Sequence, residues 1–359
     1  MREIFGKTEE NNSDTAKNFT LLPSMLFLHD AILEIKNESE RIWIMSMDMQ
    51  TGHAVSLLQN ELMKAARRGV DTKIYLSKYA LDFTDDIPHH FLLGGYMRDE
   101  INRFQEKMNK KEREDLILAG AKILFEPKKG IAKYIPYAGE NHTKIFLIGQ
   151  KTGYIGGINL KESGFRSADF MVKITDPIML KELENRFLYL PEKDYKISFE
   201  DGSSILIDRG TRGRSITLET DEKNISETNG SINIATAWLP DGNILSILIK
   251  LHKEGKKVEV ITGNPKGLKN LMELANNSSI EKVKKAKIPI FIYQGPIHTK
   301  MYIRRQLDGS PLFRFGSHNI TRFGVIIETS ELSMQTQNEN LTKQAEAFYQ
   351  ELRKKSIPL

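Results

Sequence analysis

The chain has 359 residues, of which 40% are apolar and 28% are charged, so it can bury a substantial core. It contains no cysteine, which excludes disulfides, thiolate nucleophiles and cysteine-bound metals and fits a reducing compartment. The formal net charge of +5 suits anionic partners such as phospholipid headgroups, nucleic acid or phosphorylated metabolites. No stretch approaches the roughly 18 to 20 consecutive apolar residues of a membrane-spanning helix.

The first half of the chain begins with a polar segment over 1–17 that lacks the apolar core of a signal peptide, so we expect a flexible tail. Apolar periodicity and a helix-ending glycine, Gly69, then indicate a strand, a helix and a second strand. The predicted elements are a strand over 40–46, a helix over 54–68, a strand over 70–76, a solvated helix over 98–115 within a charged insertion, and a strand over 121–125.

The same order of elements recurs downstream, which indicates an internal duplication. Strand, helix and strand in this order form a crossover unit with parallel strands and helices on the sheet faces. We therefore predict a single bilobal α/β/α/β/α sandwich with lobes over 18–197 and 198–359 and a site between them. The repeated elements are a strand over 231–237, a turn over 240–242, a helix over 244–253, strands over 257–262 and 288–293, and a final helix over 340–355.

Each half contains the tripeptide His-Thr-Lys at the start of an apolar strand, at His142–Lys144 and His298–Lys300. Alternation along a strand places the histidine and the lysine on one face. A glycine-containing segment that ends in asparagine follows each copy, at Gly156–Asn159 and Gly316–Asn319. We interpret it as the returning strand of a hairpin, with the Asp308-Gly309 turn signal between the arms of the second copy.

This constellation suits phosphodiester chemistry. A neutral imidazole can attack a phosphodiester and form a phosphohistidine, while a second, protonated imidazole delivers a proton to the leaving alkoxide. Lysines and neutral donors can stabilise the phosphoryl oxygens, so we expect neither a metal nor another cofactor. The candidate catalytic residues of the motifs are His142, Lys144, Asn159, His298, Lys300 and Asn319, and the candidate phosphate ligands are Lys144, Lys300, Asn159, Asn319, Ser317 and Gly157.

The paired motifs resemble the HKD motifs of the phospholipase D superfamily, and the chain looks most like its cardiolipin-synthase branch. The stretches Gly156–Leu160, Ala65–Val70 and Asp169–Pro177 carry the likeness to that branch, within a resemblance that covers about residues 18–350. The resemblance implies a phospholipase D-like bilobal α-β-α sandwich with pseudo-two-fold internal duplication. It also implies that both motifs face one another and that one histidine becomes transiently phosphorylated or phosphatidylated.

The resemblance further implies roles for individual residues. The N-terminal motif usually supplies the nucleophile, so we expect attack by His142, with His298 as proton donor and later general base. Asp169 and Glu331 stand where the family places the carboxylates that hold the histidine rings, and we expect Glu331 to restore the proton affinity of His298. Arg304 and Arg305 follow the second motif, and we expect their charge to lower the pKa of that histidine.

The chain departs from the family at the aspartate five residues after each lysine, where it has Gly149 and Arg305. That aspartate is regarded as structural in the family, so we expect the site to survive its loss. Asp308 is a candidate substitute in the second half, whereas the first half has none.

The function that the resemblance implies is phosphatidyl transfer or phospholipid phosphodiester hydrolysis. We expect a cytoplasmic location, with peripheral association at the membrane surface as the alternative. A metal-independent endonuclease is an alternative, with which the basic stretches Arg209–Arg214 and Lys282–Lys287 are compatible. A second alternative is a degenerate scaffold that only binds phosphate-bearing ligands, suggested by Gly149 and Arg305.

Overall fold

The computed structural model describes residues 18–77, 109–126, 139–189, 191–211, 213–264, 271–326 and 328–359. The predicted tail over 1–17 and most of the charged insertion, including 98–108 of its predicted helix, lie outside these residues. Residues 109–118 are helical, but Leu116 and Arg113 are buried, so the prediction of a wholly solvated helix is wrong for this part.

The first lobe is a seven-stranded sheet in the order β1-β7-β6-β5-β2-β3-β4. Its strands are β1 (Phe19–Pro23), β2 (Arg41–Ser46), β3 (Asp71–Ser77), β4 (Lys122–Glu126), β5 (Ile145–Ile148), β6 (Thr152–Gly156) and β7 (Phe170–Ile174). Besides the helical residues 109–118, its helices are α1 (Ser24–Asn37), α2 (His53–Arg67), the single turn α3 (Glu162–Arg166) and α4 (Pro177–Leu188).

The second lobe is a nine-stranded sheet in the order β16-β12-β11-β10-β13-β14-β15-β9-β8. Its strands are β8 (Tyr195–Ser198), β9 (Ser204–Asp208), β10 (Ser231–Thr236), β11 (Lys257–Thr262), β12 (Ile290–Tyr293), β13 (Lys300–Arg305), β14 (Pro311–Gly316), β15 (Glu331–Thr336) and β16 (Ser356–Pro358). Its helices are α5 (Ile216–Ser226), α6 (Gly242–Lys253), α7 (Leu271–Lys285), α8 (Arg322–Ile326) and α9 (Glu339–Lys354).

The two sheets repeat one topology, as the sequence predicts. In the first, β2, β3 and β4 are parallel neighbours and β5 pairs antiparallel with β2 and β6. In the second, β10, β11 and β12 are parallel neighbours and β13 pairs antiparallel with β10 and β14. The crossover helices α2 and α6 are each followed by a glycine in the left-handed conformation, Gly69 (φ +89°) and Gly255 (φ +81°). Glycine adopts this conformation readily because it has no side chain.

The lobes share one apolar layer, in which inward residues of both sheets pack with α4 and α9. Aromatic rings cross the lobe boundary here: the Phe170 ring centroid lies 5.8 Å from that of Phe315 and 6.1 Å from that of Phe313. Separate apolar clusters bury α1 and α2 on the outer face of the first sheet and α5 and α6 on that of the second. The layers therefore run helix, sheet, helix, sheet, helix.

The predicted boundary between the lobes, after residue 197, falls inside β8. This strand pairs with β9 over all four of its residues, so it belongs to the second sheet. We therefore propose that the second lobe begins before Tyr195.

The two positions that depart from the family aspartate lie at the end of the motif strands that points away from the histidines. Five residues of extended chain separate each from its motif lysine, about 16 Å. Gly149 forms the β5–β6 turn with φ +62°, where a side chain would meet the Glu38 carboxylate. Arg305 binds α9 through Glu346 (Nε–Oε1 2.6 Å) and Glu339 (Nη2–Oε1 3.1 Å). Both replacements thus lie away from the motif histidines and take part in structural contacts.

The contact with Glu38 makes a prediction for Gly149. Restoring the family residue by Gly149→Asp should lower the free energy of unfolding by about 1–3 kcal/mol. The new carboxylate would oppose Glu38, whose Oε1 already accepts the backbone N–H groups of Ser39 and Glu40. Urea denaturation would measure the change, with Gly149→Asn as the uncharged control of equal size. Equal stability of the two variants would show that charge repulsion is absent.

Candidate active site

The backbone of each His-Thr-Lys motif is held by the opposite lobe. In the first motif, the His142 N–H donates to the Ser330 carbonyl oxygen at 2.8 Å. In the second, the His298 N–H donates to the Ala168 carbonyl oxygen at 3.1 Å. Ser330 and Ala168 each directly precede a predicted site carboxylate, so the same contacts bring these acids to the histidines of the other lobe.

The carboxylates therefore pair across the lobes. Glu331 Oε1 lies 3.0 Å from Nδ1 of His142, and Asp169 Oδ2 lies 2.8 Å from Nδ1 of His298. The expectation that Glu331 would support His298 is wrong, because the bridge beside Ser330 places Glu331 at the first motif. Each carboxylate binds Nδ1, which leaves Nε2 as the nitrogen available for chemistry.

Glu331 is 1% exposed, and its carboxylate accepts hydrogen bonds from the Ser317 hydroxyl and from Thr329 Oγ1 at 3.0 Å. Burial by itself would raise the pKa of Glu331, but His142 and its hydrogen bond outweigh burial and hold that pKa well below its usual range. The carboxylate is thus ionised at neutral pH and favours the tautomer of His142 that carries its proton on Nδ1.

Two predicted phosphate ligands have other partners in the structure. The Ser317 hydroxyl contacts Glu331 and accepts the Leu332 N–H at 3.0 Å, so it orients the carboxylate and is not free for phosphate. Gly157 donates its N–H to the Phe170 carbonyl oxygen at 3.3 Å, and a side chain there would collide with Asp169. Ser317 thus supports Glu331, and Gly157 leaves room for Asp169, in place of the predicted contacts with phosphate.

Lys144 and Lys300 are buried, with 2% and 3% of their surface exposed. Each ammonium donates to the carbonyl oxygen of its own motif histidine, at 2.5 Å for Lys144 and 2.6 Å for Lys300. Burial lowers the pKa of Lys144 to about 8 and that of Lys300 to about 7, although the nearby carboxylates oppose the shift. The two lysines thus lie in a desolvated site where their charge acts strongly on a bound anion.

The asparagines of the two hairpins, Asn159 and Asn319, lie beside the motifs with amide oxygens that have no hydrogen-bond partner in the described part of the chain. The Asn159 side chain is 4% exposed in total. An amide oxygen accepts hydrogen bonds, so these two atoms could bind a donor such as a substrate hydroxyl, whereas only the amide N–H groups could donate to a phosphoryl oxygen.

The two histidines differ in their surroundings. Burial and then the Lys300 ammonium, which lies 3.0 Å from Nε2, lower the pKa of His298 to about 4 against the opposing effect of Asp169. The predicted direction is correct, but the predicted cause is not. Arg304 donates to the Asn224 carbonyl oxygen at 2.6 Å and Arg305 binds α9, so neither arginine is responsible.

A buried polar network behind the second motif has no counterpart in the predictions. Arg314 and Asp221 are both fully buried and form an ion pair at 3.0 Å. Arg314 also donates to the carbonyl oxygen of His318 at 3.2 Å and contacts that of Lys300 at 3.5 Å, so it ties both arms of the hairpin together. Asp221 could have been recognised in the sequence, because it is a charged residue on the apolar face of α5, between Leu218 and Ile225.

A family model described as "Cardiolipin synthase, PLD-like domain" matches residues 32–190 and 222–353. No curated protein matches the chain.

Among solved structures, phosphatidylserine synthase of Haemophilus influenzae Rd KW20 superposes with a TM-score of 0.69 at 13% identity, covering 96% of this chain and 88% of that one. Polyphosphate kinase of Porphyromonas gingivalis gives a TM-score of 0.60 at 13% identity, covering 95% of this chain and 48% of that one. A phospholipase D family member, Nuc, from Salmonella typhimurium gives a TM-score of 0.37 at 18% identity, over 44% of this chain and 98% of that one.

These similarities confirm the predicted fold class, a phospholipase D-like bilobal sandwich with internal duplication. None of the described helices combines the length and the apolar character that crossing a membrane requires.

The contact between Lys300 and His298 makes a prediction about titration. Lys300→Met should raise the pKa of His298, because a positive charge that disfavours the imidazolium is removed while burial remains. Histidine ring carbon shifts followed by NMR from pH 3 to 8 would measure it. The matched control is Lys151→Met at the exposed β5–β6 turn. A pKa that stays unchanged or falls in Lys300→Met would contradict the assigned cause.

Proposed function

We propose that this chain, which belongs to the cardiolipin synthase, PLD-like domain family, is a phospholipid phosphodiesterase or phosphatidyltransferase that acts through a covalent phosphohistidine. The observation that supports this most directly is the pair of crossed contacts, His142 with Glu331 and His298 with Asp169. Two imidazoles, each held through Nδ1 beside a buried lysine, form a set that can attack, protonate and stabilise charge at one phosphate.

In the proposed first step, Nε2 of His142 attacks phosphorus and forms the P–N bond while the P–O bond to the leaving alcohol breaks. His298 donates a proton to that oxygen, so the alcohol departs neutral. In the second step, neutral His298 takes a proton from water or from an acceptor alcohol, whose oxygen attacks phosphorus and displaces His142. Water yields hydrolysis, and an alcohol yields phosphatidyl transfer.

Lys144 and Lys300 would stabilise the negative charge that builds on the phosphoryl oxygens, and the amides of Asn159 and Asn319 would donate to them. Desolvation strengthens these interactions, since both lysines are almost fully buried. Glu331 would stabilise the positive charge that His142 acquires as it forms the phosphohistidine.

The lowered pKa of His298 favours the reverse assignment in the free protein, since a neutral imidazole is the form that attacks. A bound phosphodiester would change this balance. Its negative charge would attract the Lys300 ammonium away from the ring, and both effects raise the proton affinity of His298. We therefore keep His142 as nucleophile and assign the charging of His298 to substrate binding.

Phospholipid is the proposed substrate because the family description names cardiolipin synthase. Purified protein should convert phosphatidylglycerol liposomes to cardiolipin or phosphatidic acid in excess EDTA, because lysines and amides already balance the phosphate charge. His142→Asn should lose at least about 10³-fold in rate, while His29→Asn on the exposed face of α1 should retain it.

Other outcomes of the lipid assay would favour other functions. Loss of activity in EDTA with rescue by a divalent ion would contradict the metal-independent mechanism. Rapid nicking of plasmid DNA with inert lipid would favour the nuclease alternative, to which the exposed Arg214 would contribute. No activity in either assay, with intact folding and measurable phosphate binding, would favour a scaffold that only binds phosphate-bearing ligands.

Trapping the covalent intermediate tests the two histidine roles. His298→Asn should accumulate an adduct on His142 after rapid quenching, because attack is slowed while breakdown lacks its base. His142→Asn should trap none. Peptide mass spectrometry would locate the adduct, and an adduct on His298 would reverse the assignment.

A further inference from the structure

Lys161 is a third lysine beside the candidate site, two residues after Asn159. Its backbone N–H donates to the Asn159 carbonyl oxygen at 2.8 Å. Its charge acts on both motif lysines, where it adds to the larger effect of burial in lowering the pKa values of Lys144 and Lys300. The Lys161 side chain is 31% exposed, in contrast to the almost fully buried motif lysines.

Asp48 lies behind Lys161 and is 2% exposed. Its Oδ2 accepts a hydrogen bond from Gln50 Nε2 at 2.9 Å and lies 3.6 Å from Lys161 Nζ, which is longer than a charged hydrogen bond. Within the described residues, Oδ1 has no hydrogen-bond partner. The backbone fixes this arrangement, since Gln50 N–H donates to the Leu160 carbonyl oxygen at 2.9 Å.

Within the described part of the second lobe, the equivalent positions hold neither an acid nor a lysine. Aligning β2 with β10 places Trp238 at the position of Asp48, and aligning the hairpins at Asn159 and Asn319 places Thr321 at the position of Lys161. Thr321 is buried and Trp238 is half-buried. At these described positions, the duplication repeats the catalytic groups but not the accessible cation.

The charges of the site are balanced without Lys161. A bound phosphodiester favours the protonated forms of Lys300 and His298; Lys144 and Lys300 then offset Glu331 and Asp169, and the single charge of the phosphodiester is offset by the proton on one histidine. Lys161 and Asp48 add no net charge, but they place an additional, partly exposed ammonium group at the site with its countercharge buried behind it.

We propose that Lys161, positioned by Asp48, forms a second anion subsite beside the phosphodiester site, which binds a second phosphate group where the substrate carries one. The proposal rests on the proposed function in that both use the same cleft. It concerns binding, however, and binding can be measured whether or not the protein turns over lipid.

The test compares inorganic pyrophosphate with inorganic phosphate by isothermal titration calorimetry in EDTA. Lys161→Met should weaken pyrophosphate binding about tenfold and phosphate binding less than about twofold, because a charged hydrogen bond to the second phosphate is lost. Lys161→Arg should keep the preference for pyrophosphate. Lys151→Met, which removes the same charge from an exposed turn, should change neither affinity.

Asp48→Asn tests the positioning role. If Asp48 only screens positive charge, its removal strengthens both ligands equally. If Asp48 holds Lys161, the ratio of pyrophosphate to phosphate affinity falls although a negative charge is gone, which is the result we expect. Equal weakening of both ligands in Lys161→Met, or no change in either, would overturn the second subsite. If the protein does not turn over lipid but still prefers pyrophosphate to phosphate, the result would count against the proposed function alone.

Discussion

Two hydrogen bonds that cross between the lobes determine the geometry of the candidate site. Glu331 of the second lobe holds His142 of the first, and Asp169 of the first lobe holds His298 of the second. Among the described residues, neither lobe alone contains a motif histidine together with the carboxylate that binds it. The shared apolar layer, with Phe170 against Phe313 and Phe315, is what keeps these contacts at hydrogen-bond distance. A large hydrophobic interface of this kind opposes relative motion of the lobes.

The pairing of histidines and carboxylates across the lobes also explains two residues that belong to neither pair. Ser317 and Gly157 occupy equivalent hairpin positions, and each lies against a carboxylate, Glu331 or Asp169. Glu331 receives a hydroxyl as well as the imidazole, whereas Asp169 accepts the Phe170 N–H at 2.9 Å. Both acids are thus satisfied while almost fully buried, which a charged carboxylate requires.

The local structure could be predicted well from the sequence, because apolar alternation and helix-ending glycines report backbone conformation directly. The helix predicted over 54–68 is α2 (His53–Arg67), and the strand predicted over 257–262 is β11 (Lys257–Thr262). The pairing of acids with histidines could not be predicted in this way. Asp169 follows His142 closely along the chain, yet the bridge between Ala168 and Ile297 assigns it to the other motif. Such bridges depend on how two sheets face each other, which no local pattern encodes.

The duplicated halves differ in the groups that support the motifs from behind. In the first lobe, the Tyr154 hydroxyl donates to Asp30 at 2.7 Å. The Asp30 carboxylate also forms an ion pair with Lys173 at 2.9 Å. In the second, the equivalent strand position holds Arg314, fully buried with Asp221. A buried ion pair contributes little net stability against its desolvation, but removal of either partner leaves a buried charge uncompensated. Because Arg314 also contacts the carbonyl oxygens of Lys300 and His318, that cost is coupled to the geometry of the second motif. The two motifs therefore share a sequence and a fold but not a mode of support, and an equal chemical role for their histidines does not follow from the symmetry.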